Sequence, residues 1–79
     1  MILKITVKLL VGLHKYSPTG EPQFILDVSK EDRVQSVLTR LGLPQQGRKV
    51  VLVNGHQALA DQELQANDLL VVFPPMEGG

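Results

Sequence analysis

The side chains of this sequence offer little that could do covalent chemistry. His14 and His56 each fall in a predicted turn, and neither has a second histidine or a cysteine at metal-ligand spacing. Ser29 and Ser36 have no base that the sequence places beside them. Asp61 and Glu63 alternate in a predicted turn, where carboxylates ordinarily face water. Gly42, Gly47 and Gly55 are scattered, without the strand-to-helix setting of a phosphate loop. Cysteine is absent, which removes disulfides, thiolate metal sites and a thiol nucleophile. One candidate survives, and it is main chain: a diglycine, Gly78-Gly79, held behind Pro74-Pro75.

Chemistry there would reside in the carboxylate of Gly79. Without Cβ, the last two residues can pass a narrow channel and leave the terminal carbonyl open to a nucleophile. A carboxylate is inert to acyl transfer until its oxygen becomes a leaving group, which adenylation by ATP supplies. The activated acyl group could then take sulfur, giving a thiocarboxylate, or an amine, giving an isopeptide bond. Proline denies a ladder donor and fixes φ, so Pro74-Pro75 is expected to end the last strand and project the chain away from the body. From Pro74 to Gly79, at about 3.3 Å per residue, an extended tail reaches about 20 Å.

The elements that must hold this tail are legible upstream. Leu3, Ile5, Val7, Leu9 and Val11 alternate with Lys4, Thr6 and Lys8, the period of a half-buried strand. Residues 12–22 concentrate turn formers. A second strand follows, with Phe24, Leu26 and Val28 on one face. Ser29 stands where a helix cap would, with Glu31 and Asp32 at the positive end of the dipole. Val34, Val37, Leu38 and Leu41 then form the apolar stripe of a helix of about three turns. Gly42 and Pro44 supply its stop. Beyond it lie a β-rich run at residues 49–54, a tight turn at Asn54-Gly55, a short strand or turn at 58–64 anchored by Leu59 and Leu64, a turn at Asn67-Asp68, and a last strand at 69–73.

The order ββαβ(β)β predicts an α+β fold, a mixed sheet of four to five strands with one main helix on one face. Residues 1–73 form the domain and residues 74–79 an extended, flexible tail. One helix covers one face only. The other is expected to carry Ile2, Leu10, Ile25, Val51 or Leu52, Leu70 and Val72, an apolar patch suited to docking another protein.

Composition excludes other classes. The 79 residues carry eight basic and eight acidic side chains, two Phe, one Tyr and no Trp. Neither a basic face nor a stacking platform for nucleic acid is present. Charge divides along the chain, since residues 51–79 hold Asp61, Glu63, Asp68 and Glu77 and no base. That segment is acidic enough to steer toward a basic partner surface. The first residues interleave charge with apolar groups, unlike a signal peptide, and no segment is apolar enough to span a membrane. With no cysteine to form disulfides, a cytoplasmic protein is expected.

The turns at Asn54-Gly55 and Asn67-Asp68, the strand Leu69 to Phe73, and the run Phe73-Pro74-Pro75-Met76-Glu77-Gly78-Gly79 resemble the small sulfur carriers of the ubiquitin-like β-grasp fold. Among them the sequence is most similar to the molybdopterin synthase small subunit (MoaD type). The thiamine-pathway carriers (ThiS type) share the diglycine but usually lack the two prolines. The resemblance implies a carrier that is not an enzyme on its own and binds no cofactor or metal. An E1-like adenylating enzyme would use ATP and Mg²⁺ to activate Gly79, and a sulfur donor protein would convert it to the thiocarboxylate. The large subunit of molybdopterin synthase would then accept the tail. On this reading Gly79 carries sulfur, Gly78 permits threading, and Pro74 and Pro75 aim the tail. Phe73, Met76, Glu77, Leu70 and Val72 would meet the partner. Other outlets for the same carboxylate are a different sulfur pathway and conjugation to lysines as a ubiquitin-like modifier. Glu77 and Met76 depart from the family's usual small residue and Val.

Overall fold

A computed structural model describes residues 1–43 and 49–75; Pro44, Gly47 and the tail residues Met76, Glu77, Gly78 and Gly79 lie outside the described residues. Alternation in the first strand, β1 (Ile2–Leu9), buries Ile5, Val7 and Leu9 on one face. A turn and a short 3₁₀ helix (Leu13–Tyr16) lead into β2 (Gln23–Ser29), which pairs antiparallel with β1. The helix α1 (Val34–Arg40) is followed by β3 (Val50–Val53), β4 (His56–Gln57) and β5 (Leu69–Phe73). The sheet order is β2-β1-β5-β3-β4, with β5 parallel to β1 and antiparallel to β3. The expected mixed sheet with one helix is therefore present, and β5 is its central strand.

The start of α1 differs from the cap expected at Ser29. The Ser29 hydroxyl instead serves a turn ahead of the helix, accepting the Glu31 N–H at 3.1 Å. It also donates to the Glu31 carboxylate, which holds that carboxyl below its usual range. Ser29 N–H donates to Asp32 Oδ2 at 2.8 Å, closing the same turn. The helix begins later, and its first amides are satisfied by another segment: Val34 N–H donates to the Gln62 carbonyl at 3.0 Å and Gln35 N–H to the Ala60 carbonyl at 2.8 Å. Loop carbonyls thus do the capping that a side chain would otherwise do. At seven residues α1 is shorter than expected, because its first turn is spent on the Ser29–Asp32 loop. Val34, Val37 and Leu38 are buried as the stripe requires, Leu41 packs partly against them, and Gly42 takes φ 80° past the last turn.

Core and open faces follow from register. Val7 pairs with Phe24 and Leu70, Leu9 with Val72, and Val51 with Val72, and all of these point toward the helix side. Fully burying a side chain of this size stabilises by about 1.5–3 kcal/mol. Leu64 joins the core, but Leu59 does not; it is 70% exposed, because residues 59–62 form a surface turn closed by the Gln62 N–H to the Leu59 carbonyl.

Candidate functional site

The described part of the tail leaves the sheet from its centre. Phe73, the last residue of β5, pairs with Val50 on one side. On the other, Leu10 N–H donates to the Val72 carbonyl at 3.0 Å, so β1 runs out alongside it. Pro74 follows with no N–H to extend the ladder, and pairing stops. Both prolines are half-buried. Pro75 forms part of the wall of a groove of about 460 Å³, shared with Val34 and Leu38 of α1 and Val51 of β3. Pro74-Pro75 was expected to end the last strand and project the chain away from the body; the strand does end at Phe73, and the dipeptide itself stays against the body. Gly78, Gly79, Met76 and Glu77, to which the chemistry and part of the partner contact were assigned, lie outside the described residues.

Two expected contact residues need correction. Leu70 and Val72 are fully buried, with 0% exposure, and belong to the core. The strand 69–73 is apolar at every position, so alternation gave no parity, and pairing with Val7 and Leu9 of β1 turns Leu70 and Val72 inward. The open face of β5 is therefore Leu69, Val71 and Phe73. Their pairs on that face are Thr6 and Lys8 of β1 and Val50 and Leu52 of β3, with Ile25 of β2 beyond Thr6. Ile2 and Ile25 are exposed as expected, and Leu52 rather than Val51 faces outward. Lys4 and Asp27, paired across β1 and β2 at 2.9 Å, border this apolar band.

Sequence reading gave Val11 to the first strand's inner face, but the strand ends at Leu9 and Val11 turns outward. It adopts φ 56°, followed by Gly12 at φ 85°, in a turn closed by Leu13 N–H to the Leu10 carbonyl at 3.3 Å. A left-handed conformation costs a residue with a Cβ about 1–2 kcal/mol. Branching at Cβ makes valine a poor occupant, and no composition signal marks such a position. At the opposite end of β5, Asn54 at φ 52° and Gly55 at φ 85° make the tight turn that the sequence announced. Asn54 Nδ2 donates to Asp68 Oδ1 at 2.9 Å, and Asn54 Oδ1 accepts the Leu69 N–H at 2.9 Å.

Among the described residues, no three His, Asp or Glu side chains gather where they could hold a metal ion. No described helix is long and apolar enough to cross a membrane.

The model of the ThiS family matches residues 15–79. The chain belongs to the ThiS family. No curated protein matches its sequence. Solved structures share the ubiquitin-like β-grasp fold of this ThiS-family chain across its length. The small archaeal modifier protein SAMP1 of Haloferax volcanii superposes with a TM-score of 0.77 at 24% identity, over 96% of this chain and 99% of that one. A Pyrococcus furiosus protein assigned as molybdopterin converting factor subunit 1 gives 0.78 at 19% identity, over 94% and 99%. The ubiquitin of Caldiarchaeum subterraneum gives 0.68 at 19% identity, with both chains fully covered. Small carriers of the ThiS family generally are not enzymes and work with E1-like enzymes and partner subunits.

Proposed function

We propose that this protein is a sulfur carrier whose reactive group is the carboxylate of Gly79, serving the formation of molybdopterin. An E1-like enzyme binds the open sheet face, takes the tail into its channel, and presents the carboxylate to ATP and Mg²⁺. The carboxylate oxygen attacks the α-phosphorus and pyrophosphate leaves, giving an acyl adenylate whose AMP is a good leaving group. Hydrosulfide released by a donor protein then attacks the carbonyl carbon, AMP leaves as the carbonyl–phosphate bond breaks, and loss of the sulfur-bound proton gives the thiocarboxylate. The thiocarboxylate passes to the large subunit of molybdopterin synthase, all within the cytoplasm. ATP and Mg²⁺ belong to the activating partner.

The observation that carries this reading is the ThiS-family match, which runs through Gly79. Pro74-Pro75 at the end of the central strand supports the molybdopterin branch over the thiamine branch. The test is intact-mass analysis of the protein from its native cells. We expect one oxygen replaced by sulfur at Gly79 in the wild type and no such form in Gly79→Ala, with the melting temperature unchanged. A carboxylate that stays unmodified with ATP, sulfur donor and the cells' own activating enzymes all present would sink the proposal.

A second reading is conjugation, favoured by the fold shared with a small archaeal modifier and an archaeal ubiquitin. There the activated Gly79 acylates lysine amines, and a ladder of higher-mass conjugates replaces the free thiocarboxylate.

A further inference from the structure

The molecule builds the same left-handed pair twice, with φ 52° and 85° at Asn54-Gly55 and φ 56° and 85° at Val11-Gly12. Asparagine tolerates this conformation because its short side chain can hydrogen-bond locally, whereas a β-branched residue at positive φ is an outlier. Core packing does not explain the choice of valine, since Val11 is 71% exposed. Nor does the turn require it, since the chain uses asparagine for the same geometry elsewhere. Backbone strain of this kind clusters at binding and functional sites, so an outlier motivates a search for a role.

Position indicates what that is. Leu10 N–H bonds the Val72 carbonyl, so the chain at Leu10-Val11 runs directly beside Phe73-Pro74, where the tail begins. Leu10 is itself exposed, which makes the turn an apolar point flanking the root of the tail. A protein that engages the chain where it leaves β5 would meet this turn.

We propose that Val11 is a recognition residue, inserted into an apolar pocket beside the tail channel of the activating enzyme. This rests on the carrier reading above. The left-handed turn aims the isopropyl group outward, so the free protein is less stable than an asparagine variant would be, while the complex gains an apolar contact at the edge of the channel. Val11 acts in docking and touches no reacting atom.

The experiment is a competition. Equal amounts of isotope-labelled wild type and unlabelled variant are incubated with ATP and a sulfur donor in an extract of the native cells from which the carrier has been depleted. The ratio of thiocarboxylated masses then reports relative kcat/KM. Val11→Asn keeps the turn and relieves the strain, so its melting temperature should rise while its share of product falls roughly three- to tenfold, as for loss of a buried interface side chain. Val11→Thr keeps the branch at Cβ and hence the strain, but replaces a methyl with a hydroxyl. It should lose a similar share of product with no gain in melting temperature. Both variants competing equally with wild type would overturn the inference while leaving the carrier reading intact. A wild type that acquires no sulfur at all overturns both.

Discussion

Asn54 shows how much one residue can fix when backbone and side chain agree. Its positive φ makes the turn between β3 and β4. Its N–H donates to the Leu69 carbonyl at 2.9 Å, and its Oδ1 takes the Leu69 N–H at the same distance. Its Nδ2 holds Asp68 Oδ1, while Asp68 Oδ2 accepts the Gln65 N–H at 2.8 Å. The start of β5 is thereby pinned at the end opposite the tail. Asn54→Gly keeps the turn and removes the side-chain bonds, so it should cost about 1–2 kcal/mol. Asn54→Ala loses the same bonds and leaves a Cβ in the left-handed region with no local hydrogen bond to offset it, so it should cost roughly 1 kcal/mol more than the glycine variant. Urea unfolding of the two variants reads the difference; a glycine variant as stable as wild type would mean that the side-chain clamp contributes nothing.

Elements divide into those whose pattern carried their parity and those whose neighbours supplied it. Charged or polar residues at positions 4, 6 and 8 declared the faces of β1 in advance. Uniformly apolar β5 declared nothing, and only pairing with Val7 and Leu9 decides that Leu70 and Val72 go inward. The helix stripe was legible, but its start was not, because the capping groups are the carbonyls of Ala60 and Gln62, distant in sequence. The diglycine tail stood out by composition and position, whereas the strained turn at Val11 depends on dihedral angles that no residue type announces. The corrected parity has a measurable consequence. Leu70→Ala leaves a cavity and should destabilise by about 2–5 kcal/mol, while Val71→Thr, on the open face, should change stability by less than about 1 kcal/mol. In the competition assay Val71→Thr should nevertheless lose product share. A large unfolding effect for Val71→Thr with a small one for Leu70→Ala would overturn the register assigned to β5.

At the scale of the whole molecule, the described core lies apart from the tail to which the proposed chemistry is assigned. Among the described residues the core draws on α1, β1, β2, β3 and β5 as well as on Leu43 and Leu64, all upstream of Pro74. The ion pairs Lys4–Asp27 and Arg33–Glu63 tie surface segments together at 2.9 and 3.2 Å, and being exposed they add little to stability. The open face and the Leu10-Val11 turn lie beside the root of the tail, so on the proposed carrier reading a partner can engage the body independently of the Gly79 carboxylate. Because every core residue among those described precedes Pro74, a variant lacking residues 76–79 should melt within a few degrees of the intact protein. It should also inhibit thiocarboxylation of the intact carrier competitively, raising its apparent KM with kcat unchanged, because binding by the body survives where transfer does not. Truncation with no inhibition would place recognition in the tail alone, and the open face would then need another explanation. Inhibition that intact carrier cannot overcome at high concentration would mean that the truncated body binds the partner somewhere other than the docking site of the intact carrier. Competition that is lost when Val71→Thr is added to the truncated chain would localise the docking to the open face of β5.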